Sequence, residues 1–239
     1  STVSTGAIVH GIFAKWEGRI AVGSGSDWPY CDFEHVLVDY DLVLQAPWYL
    51  NTAGIGDVLC MYSGIAEWEY NAAKGSAPRV DDAKTGLAIE YCESIVTEFP
   101  KTLDSGRALT ADSVGFIMNS IQERDDRQLR SPHAPATGHS MTVVIEQVTQ
   151  RGLIHGETAA LGAIIVCWAT VGYERLASWL DACKVRFRPE QIGLNYDELK
   201  RSLEFATEYF RTREPDSVLV KEPVVGERFD RMWKAIEGG

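Results

Sequence analysis

From Asp41 to the C-terminus, apolar residues recur at three- and four-residue spacing with short polar breaks, the period of helices that bury one face. The spacing predicts a short helix and then a long one across 42–71, with further helices over 139–150, 156–172, 174–184, 196–212 and 226–237. Asp81-Asp82 opens another, through Ile89, Cys92, Ile95 and Val96, which stops before Pro100 because proline disfavours helical backbone in the residue preceding it. Thr110 fits the N-cap of a run through Val114, Ile117, Met118 and Ile121, and the charged, then proline-rich stretch 124–136 reads as a loop. The βαβ alternation of a nucleotide-binding sheet is missing from this pattern. So is any Gly-x-Gly-x-x-Gly or Gly-x-x-x-x-Gly-Lys-[Ser/Thr] phosphate loop.

Ahead of Asp41 the pattern changes. Ile12-Phe13 and Arg19–Val22 flank Glu17-Gly18 as a short hairpin, Gly23 to Pro29 is a loop by composition, and His35–Tyr40 is an apolar run of strand length. The chain is therefore expected to be mainly α: a helical bundle of about eight helices with a short β-containing N-terminal edge, divided into a segment 1–40 and a helical domain 41–239.

Composition narrows the function classes. Asp+Glu outnumber Lys+Arg by 34 to 23, a formal charge of −11, so most of the surface would repel a phosphate backbone and no nucleic-acid partner is expected. No apolar run approaches the roughly 20 residues of a membrane-spanning helix, so no membrane partner is expected either. The five cysteines are scattered without a Cys-x-x-Cys pair, and the first residues carry no basic-then-apolar leader pattern. Both point to buried reduced thiols and a cytoplasmic location. Trp16, Trp28, Trp48, Trp68, Trp168, Trp179 and Trp233 read as packing residues, and Glu123-Arg124-Asp125-Asp126-Arg127 as a solvated helix end. Lys184, Arg186 and Arg188 make a small basic cluster near Pro189, either an ordinary surface turn or an attractor for phosphate.

Only five histidines exist, and two of them open predicted helices: His139 in Thr137-Gly138-His139-Ser140-Met141 and His155 in Leu153-Ile154-His155-Gly156-Glu157-Thr158. Two helix N-termini joined by a short turn can bring both imidazoles together. Asp57 stands inside the otherwise apolar Ala53-Gly54-Ile55-Gly56-Asp57-Val58-Leu59, where an ionised carboxylate is costly unless paired or bound to a cation. One carboxylate and two imidazoles suit a divalent ion with one position left open. The same spacing is compatible with two backbone-satisfied histidines and a capping or salt-bridged Asp57.

Several stretches, in order, resemble the dehydroquinate synthase-like superfamily, which includes the iron-containing alcohol dehydrogenases and the glycerol and glycerol-1-phosphate dehydrogenases. Val38-Asp39-Tyr40-Asp41-Leu42-Val43-Leu44-Gln45-Ala46-Pro47 resembles the family's strand and following helix. Ala53-Gly54-Ile55-Gly56-Asp57 is similar to the glycerol-1-phosphate dehydrogenase "AGxGD" motif, with Ala66-Glu67-Trp68 where that branch has Asp-Trp. Gly138-His139-Ser140 with Ile145-Glu146 resembles the synthase "GHxxGHxIE" motif, and His155-Gly156-Glu157-Thr158-Ala159-Ala160-Leu161-Gly162 resembles "HGExxALG". The resemblance covers the family's C-terminal helical half and implies that Asp57, His139 and His155 are metal ligands.

Ser4-Thr5 to His10-Gly11 resembles the family's "PTxxSxDG" segment, at which its nucleotide-binding domain hands over to the helical one. Three arrangements stay open: a fragment, a nucleotide domain on a separate polypeptide, or a chain that has dispensed with one. The departures fall on the substrate side. A second histidine of the family is Val143 here, the lysine three residues past the synthase's acidic ligand is Cys60, the Asp of "SxDG" is His10, and the Ser131–Thr137 loop is altered around His133.

The resemblance implies a metal-dependent, NAD(P)-linked dehydrogenase of glycerol phosphate or a related polyol, run in reverse on a ketone such as dihydroxyacetone phosphate. The cofactors implied are a divalent ion, Zn2+ foremost with Fe2+, Ni2+ or Mn2+ suited to the same donors, and NAD(P) held by a domain outside this chain. His10 and His133 are candidate catalytic groups, as proton shuttles or phosphate donors, with ordinary loop histidines as the alternative. The expected partners are a small polyol or phosphorylated substrate, and a second copy or a separate nucleotide-binding domain. The competing readings are a sugar-phosphate cyclase of the dehydroquinate synthase kind, which lacks its lysine here, and a non-catalytic binding protein.

Overall fold

A computed structural model of the protein describes residues 3–4, 13–17, 20–25, 35–127, 129 and 135–237. Among these, an antiparallel hairpin of β1 (Phe13–Glu17) and β2 (Ile20–Gly25) precedes a succession of helices. They are α1 (Tyr40–Leu44), α2 (Trp48–Leu59), α3 (Met61–Ala73), α4 (Asp82–Glu98), α5 (Ala111–Asp126), α6 (Thr137–Thr149), α7 (His155–Ala169), α8 (Glu174–Ala182), α9 (Tyr196–Arg213), α10 (Val218–Lys221) and α11 (Glu227–Glu237).

The chain is mainly α, as its periodicity predicts, but the described helices exceed the expected eight. Pro47 cannot donate a backbone hydrogen bond and divides α1 from α2, while the chain breaks again at Cys60, so the stretch 42–71 becomes three helices. The short α10 carried no readable period. His35–Tyr40 is not a strand: residues 35–39 have no ladder, and the Asp39 carboxylate accepts from the Leu42 amide at 3.0 Å, starting α1 at Tyr40. Val36 and Leu37, the apolar residues behind that strand reading, are 42% and 94% exposed. Gly23 to Gly25, read as loop, belong to β2.

Local signals hold elsewhere. Asp81 caps α4 by accepting from the Ala83 and Lys84 amides, and the chain leaves α4 through a 3-10 turn, Phe99–Thr102, that contains Pro100. Thr110 and Ser113 form a reciprocal capping box at the start of α5.

The centre of the bundle is α7, whose sequence is apolar or small on nearly every side and which is buried from Gly156 to Cys167. It packs against α6, α2 and α3, and β2 lies beside α6. Two glycines set how near its neighbours come. A Cβ on Gly162 would stand 2.0 Å from the Gly138 carbonyl oxygen of α6, and one on Gly156 would stand 1.8 Å from the Ala53 carbonyl oxygen of α2. At these crossings helix backbones touch without side chains between them.

Cys60, Cys92, Cys167 and Cys183 are buried thiols outside any disulfide, as their apolar surroundings predict, while Cys31 lies outside the described residues. Trp68 and Trp179 are buried, but Trp48 is 42% exposed with the Lys184 ammonium 5.1 Å above its ring, which corrects its reading as a packing residue. Trp28 lies outside the described residues. Among the described residues no helix is long and apolar enough to cross a membrane.

The two kinds of glycine should respond oppositely to a methyl group. Gly162→Ala should lower the unfolding free energy in a denaturant titration by about 3 kcal/mol, through forced separation of α6 and α7. Gly86→Ala, where nothing lies within 4 Å of the added carbon in the middle of α4, should raise it by roughly 0.5–1 kcal/mol.

Candidate metal centre

Asp57 comes from the third turn of α2, His139 from the first turn of α6 and His155 from the first position of α7. The close crossings described above bring these three points together. Asp57 is 2% exposed, whereas the His139 and His155 side chains are 29% and 33% exposed, so the cluster has a buried floor and an open side. The two Nε2 atoms are 2.9 Å apart, and the Asp57 Oδ1 atom is 3.4 Å from that of His139 and 3.3 Å from that of His155. Among the described residues this is the one group of three or more His, Cys, Asp or Glu side chains whose donor atoms converge within 4.8 Å.

Donors bound tetrahedrally at about 2.0–2.1 Å from Zn2+ lie roughly 3.3–3.4 Å from each other, so the two Asp–His separations already have the dimensions of such a site. The electrostatics agree. Burial pushes the Asp57 pKa up, but the charge of Arg124 and hydrogen bonds from the two histidines outweigh it, and the carboxyl is held well below its usual range. An anionic oxygen and two imidazole nitrogens are thus offered to one point. The residues fit a divalent ion.

Arg124 was expected on a solvated helix end, and that expectation is wrong. Its side chain is 2% exposed; Nη1 lies 3.4 Å from Asp57 Oδ2 and donates to the Asp57 backbone carbonyl at 2.7 Å. Nε and Nη2 donate to the two Asp125 oxygens at 2.9 and 3.1 Å. Cys60, standing where the synthase lysine would be, turns its thiol to the same Asp57 carbonyl at 3.0 Å.

A second set of buried groups holds the first turn of α6, and the sequence had marked Glu67 only as part of a motif. Glu67 Oε1 accepts from the Thr137 hydroxyl at 2.8 Å and from the Val218 amide at 2.6 Å, tying α3 to the starts of α6 and α10. Glu214 accepts from the Ser140 hydroxyl at 2.7 Å, on the other side of His139. Burial, reinforced by the charge of Glu214, pushes the Glu67 carboxyl up to about 7 against the hydrogen bonds from Val218 and Thr137. The first turn of α7 has its own tether: Glu157, 1% exposed, pairs with Arg186 at 2.8 Å, and burial pushes Glu157 up to about 7 despite that partner.

The basic cluster is committed to the protein. Arg186 also stacks 4.0 Å from the Tyr49 ring centroid, Arg188 pairs with Asp181 at 2.8 Å, and the Lys184 ammonium donates to the Arg107 carbonyl at 2.6 Å. His10 and His133, the candidate catalytic histidines, lie outside the described residues.

No protein-family profile matches the chain. It is 21% identical over 149 residues to glycerol-1-phosphate dehydrogenase [NAD(P)+] of Haloarcula marismortui, covering 62% of this chain and 41% of that one. It is 20% identical over 177 residues to the enzyme of the same name from Aeropyrum pernix, covering 72% of this chain and 49% of that one. The chain thus spans less than half the length of these curated relatives. Its fold matches a probable glycerol dehydrogenase from Sinorhizobium meliloti 1021 with a TM-score of 0.64 at 17% identity, over 100% of this chain and 69% of that one. It matches glycerol dehydrogenase from Schizosaccharomyces pombe with a TM-score of 0.61 at 16% identity, over 99% of this chain and 61% of that one. These relatives carry the names of the dehydrogenase branches that the sequence motifs resemble, the two solved structures share the fold of this chain, and the chain spans part of the length of each.

The raised Glu67 pKa has a definite sign in a pH titration of stability. Protonated Glu67 is favoured in the folded state, so the fold takes up a proton between the ordinary value of 4.5 and about 7. Stability is therefore lost as pH rises through that window. Glu67→Gln, which keeps an acceptor for Thr137 and Val218, should reduce the pH dependence of the denaturation midpoint between pH 5 and 8, leaving the contribution of the same sign from Glu157. The parent should lose up to roughly 3 kcal/mol more than the variant across that range.

Proposed function

We propose that this chain is the metal-binding helical portion of a dehydrogenase acting on a small polyol such as glycerol, or on its phosphate. The nicotinamide cofactor NAD(P) would be held by a domain outside the described bundle. The observation that carries this reading is the convergence of Asp57, His139 and His155 on one point, in a fold shared with glycerol dehydrogenases.

Each residue has a task that follows from its position. Asp57 supplies a fixed anionic oxygen, kept ionised by Arg124. His139 and His155 offer Nε2 lone pairs from two helix ends and leave the open side of the cluster to a substrate oxygen. Glu67 and Glu214 keep the turn carrying His139 in place, and Arg186 with Glu157 does the same beside His155. A divalent ion held by the three ligands would supply the Lewis acidity that lowers the pKa of an alcohol or polarises a ketone. Zn2+, Fe2+, Ni2+ and Mn2+ all accept this donor set. A sugar-phosphate cyclase fits less well, because the position of its lysine is a buried thiol and the nearby arginines are already paired.

Metal analysis of the purified chain should find about one equivalent of divalent ion, and His139→Ala/His155→Ala should hold none. With Co2+ in place of the native ion, the visible absorption bands should shift on adding glycerol or glycerol phosphate, and not on adding glucose 6-phosphate. Bands indifferent to every polyol would favour a binding protein instead, and a parent without metal after incubation with Zn2+ would remove the basis of the proposal.

A further inference from the structure

A buried guanidinium is expensive unless every part of it is paired, and a helix end with four neighbouring charged residues had an easy alternative in solvent. The fold nonetheless brings Arg124 inward, and divides the Asp57 carboxylate between two neighbours. Oδ1 faces the two histidines at 3.4 and 3.3 Å, while Oδ2 faces Arg124 Nη1 at 3.4 Å. The same Nη1 donates to the Asp57 carbonyl at 2.7 Å, so side chain and backbone of the acid are held by one group. Asp125 takes the remaining fork of the guanidinium and is itself 23% exposed. Asp57, Arg124 and Asp125 thus form a row of alternating charge that runs from the candidate metal point toward the surface.

We propose that Arg124 is a positioning residue for the metal centre: it confines Asp57 to one oxygen toward the histidines, and its charge lowers the affinity of the site for a divalent cation, with Asp125 moderating that effect. This inference rests on the metal-binding reading above. A full positive charge next to a ligand oxygen withdraws part of the attraction that the carboxylate has for a cation. The ion that binds keeps more of its own charge for a substrate oxygen. Cys60 cannot take this part, because a neutral thiol brings no charge to the carbonyl it touches.

The charge mechanism and a merely structural role predict opposite signs. Zn2+ affinity is measured at pH 7.5 by competition with a chromophoric chelator on the parent chain, Arg124→Gln, Arg124→Lys and Asp125→Asn. Arg124→Gln keeps a donor for the Asp57 carbonyl and loses the charge, so it should bind Zn2+ about tenfold more tightly. Arg124→Lys retains the charge and should stay within roughly threefold of the parent. Asp125→Asn removes the moderating charge from a partly exposed position and should bind several-fold more weakly. Should Arg124→Gln fail to fold, Asp125→Asn and Arg124→Lys decide the matter. Zn2+ binding that is unchanged or weaker in Arg124→Gln, or unchanged in Asp125→Asn, overturns the inference while leaving the metal centre standing. A parent that takes up no Zn2+ overturns both.

Discussion

Everything at the candidate centre depends on helix backbones touching. Two positions without a side chain, Gly156 and Gly162, let α7 lie directly on the carbonyls of α2 and α6. With a methyl group at either place the neighbouring axes would have to move apart by more than the tolerance of a metal site, whose donors must agree to a few tenths of an ångström. The burial of α7 from Gly156 to Cys167 follows from the same constraint, since a helix surrounded by others can carry a polar residue only where it is paired, as Glu157 is with Arg186.

Around this seam the protein keeps an unusual number of ionisable groups out of water. Asp57, Glu67, Arg124 and Glu157 are each 2% exposed or less. Their environments drive them in different directions. Asp57 is held ionised by the cation beside it, while Glu67 and Glu157 are pushed toward their neutral forms. One is thereby kept as an anion for the cluster, and the others serve chiefly as fixed acceptors that anchor helix ends. Burying charges is poor economy for stability, so such a concentration beside two helix N-termini is best understood through what it positions.

The sequence made the helices legible wherever a cap stood at a boundary, as Asp81 and Thr110 do, whereas Phe99 keeps helical backbone ahead of Pro100 and the chain passes into a 3-10 turn there. It also placed Asp57, His139 and His155 on the right elements, because an acid in an apolar helix and histidines at helix starts are local signals. The strand reading of His35–Tyr40 failed because β-branched content measures fit to a pleated surface, and Asp39 offered the backbone a helix cap instead. Arg124 was invisible for a different reason. A charged run at a helix end looks solvated from its neighbours in sequence, and nothing local reveals that Asp57, 67 positions earlier, waits on the adjacent helix. Glu67 was equally opaque, its partners being 70 and 151 positions away.

Those long separations bear on how the chain comes into being. The oxygen of Glu67 that receives the Val218 amide belongs to an early helix, and the amide is made 151 residues later. During synthesis α3 therefore emerges with a carboxylate that cannot yet be buried at acceptable cost, and the turn bearing His139 lacks one of its fastenings. The fastening of Glu67 is complete only once Val218 has left the ribosome. A nascent or C-terminally clipped chain would hold α2, α6 and α7 in full and still present a loosened first turn of α6, so the late α10 acts as the closing clasp of a site to which it contributes no ligand.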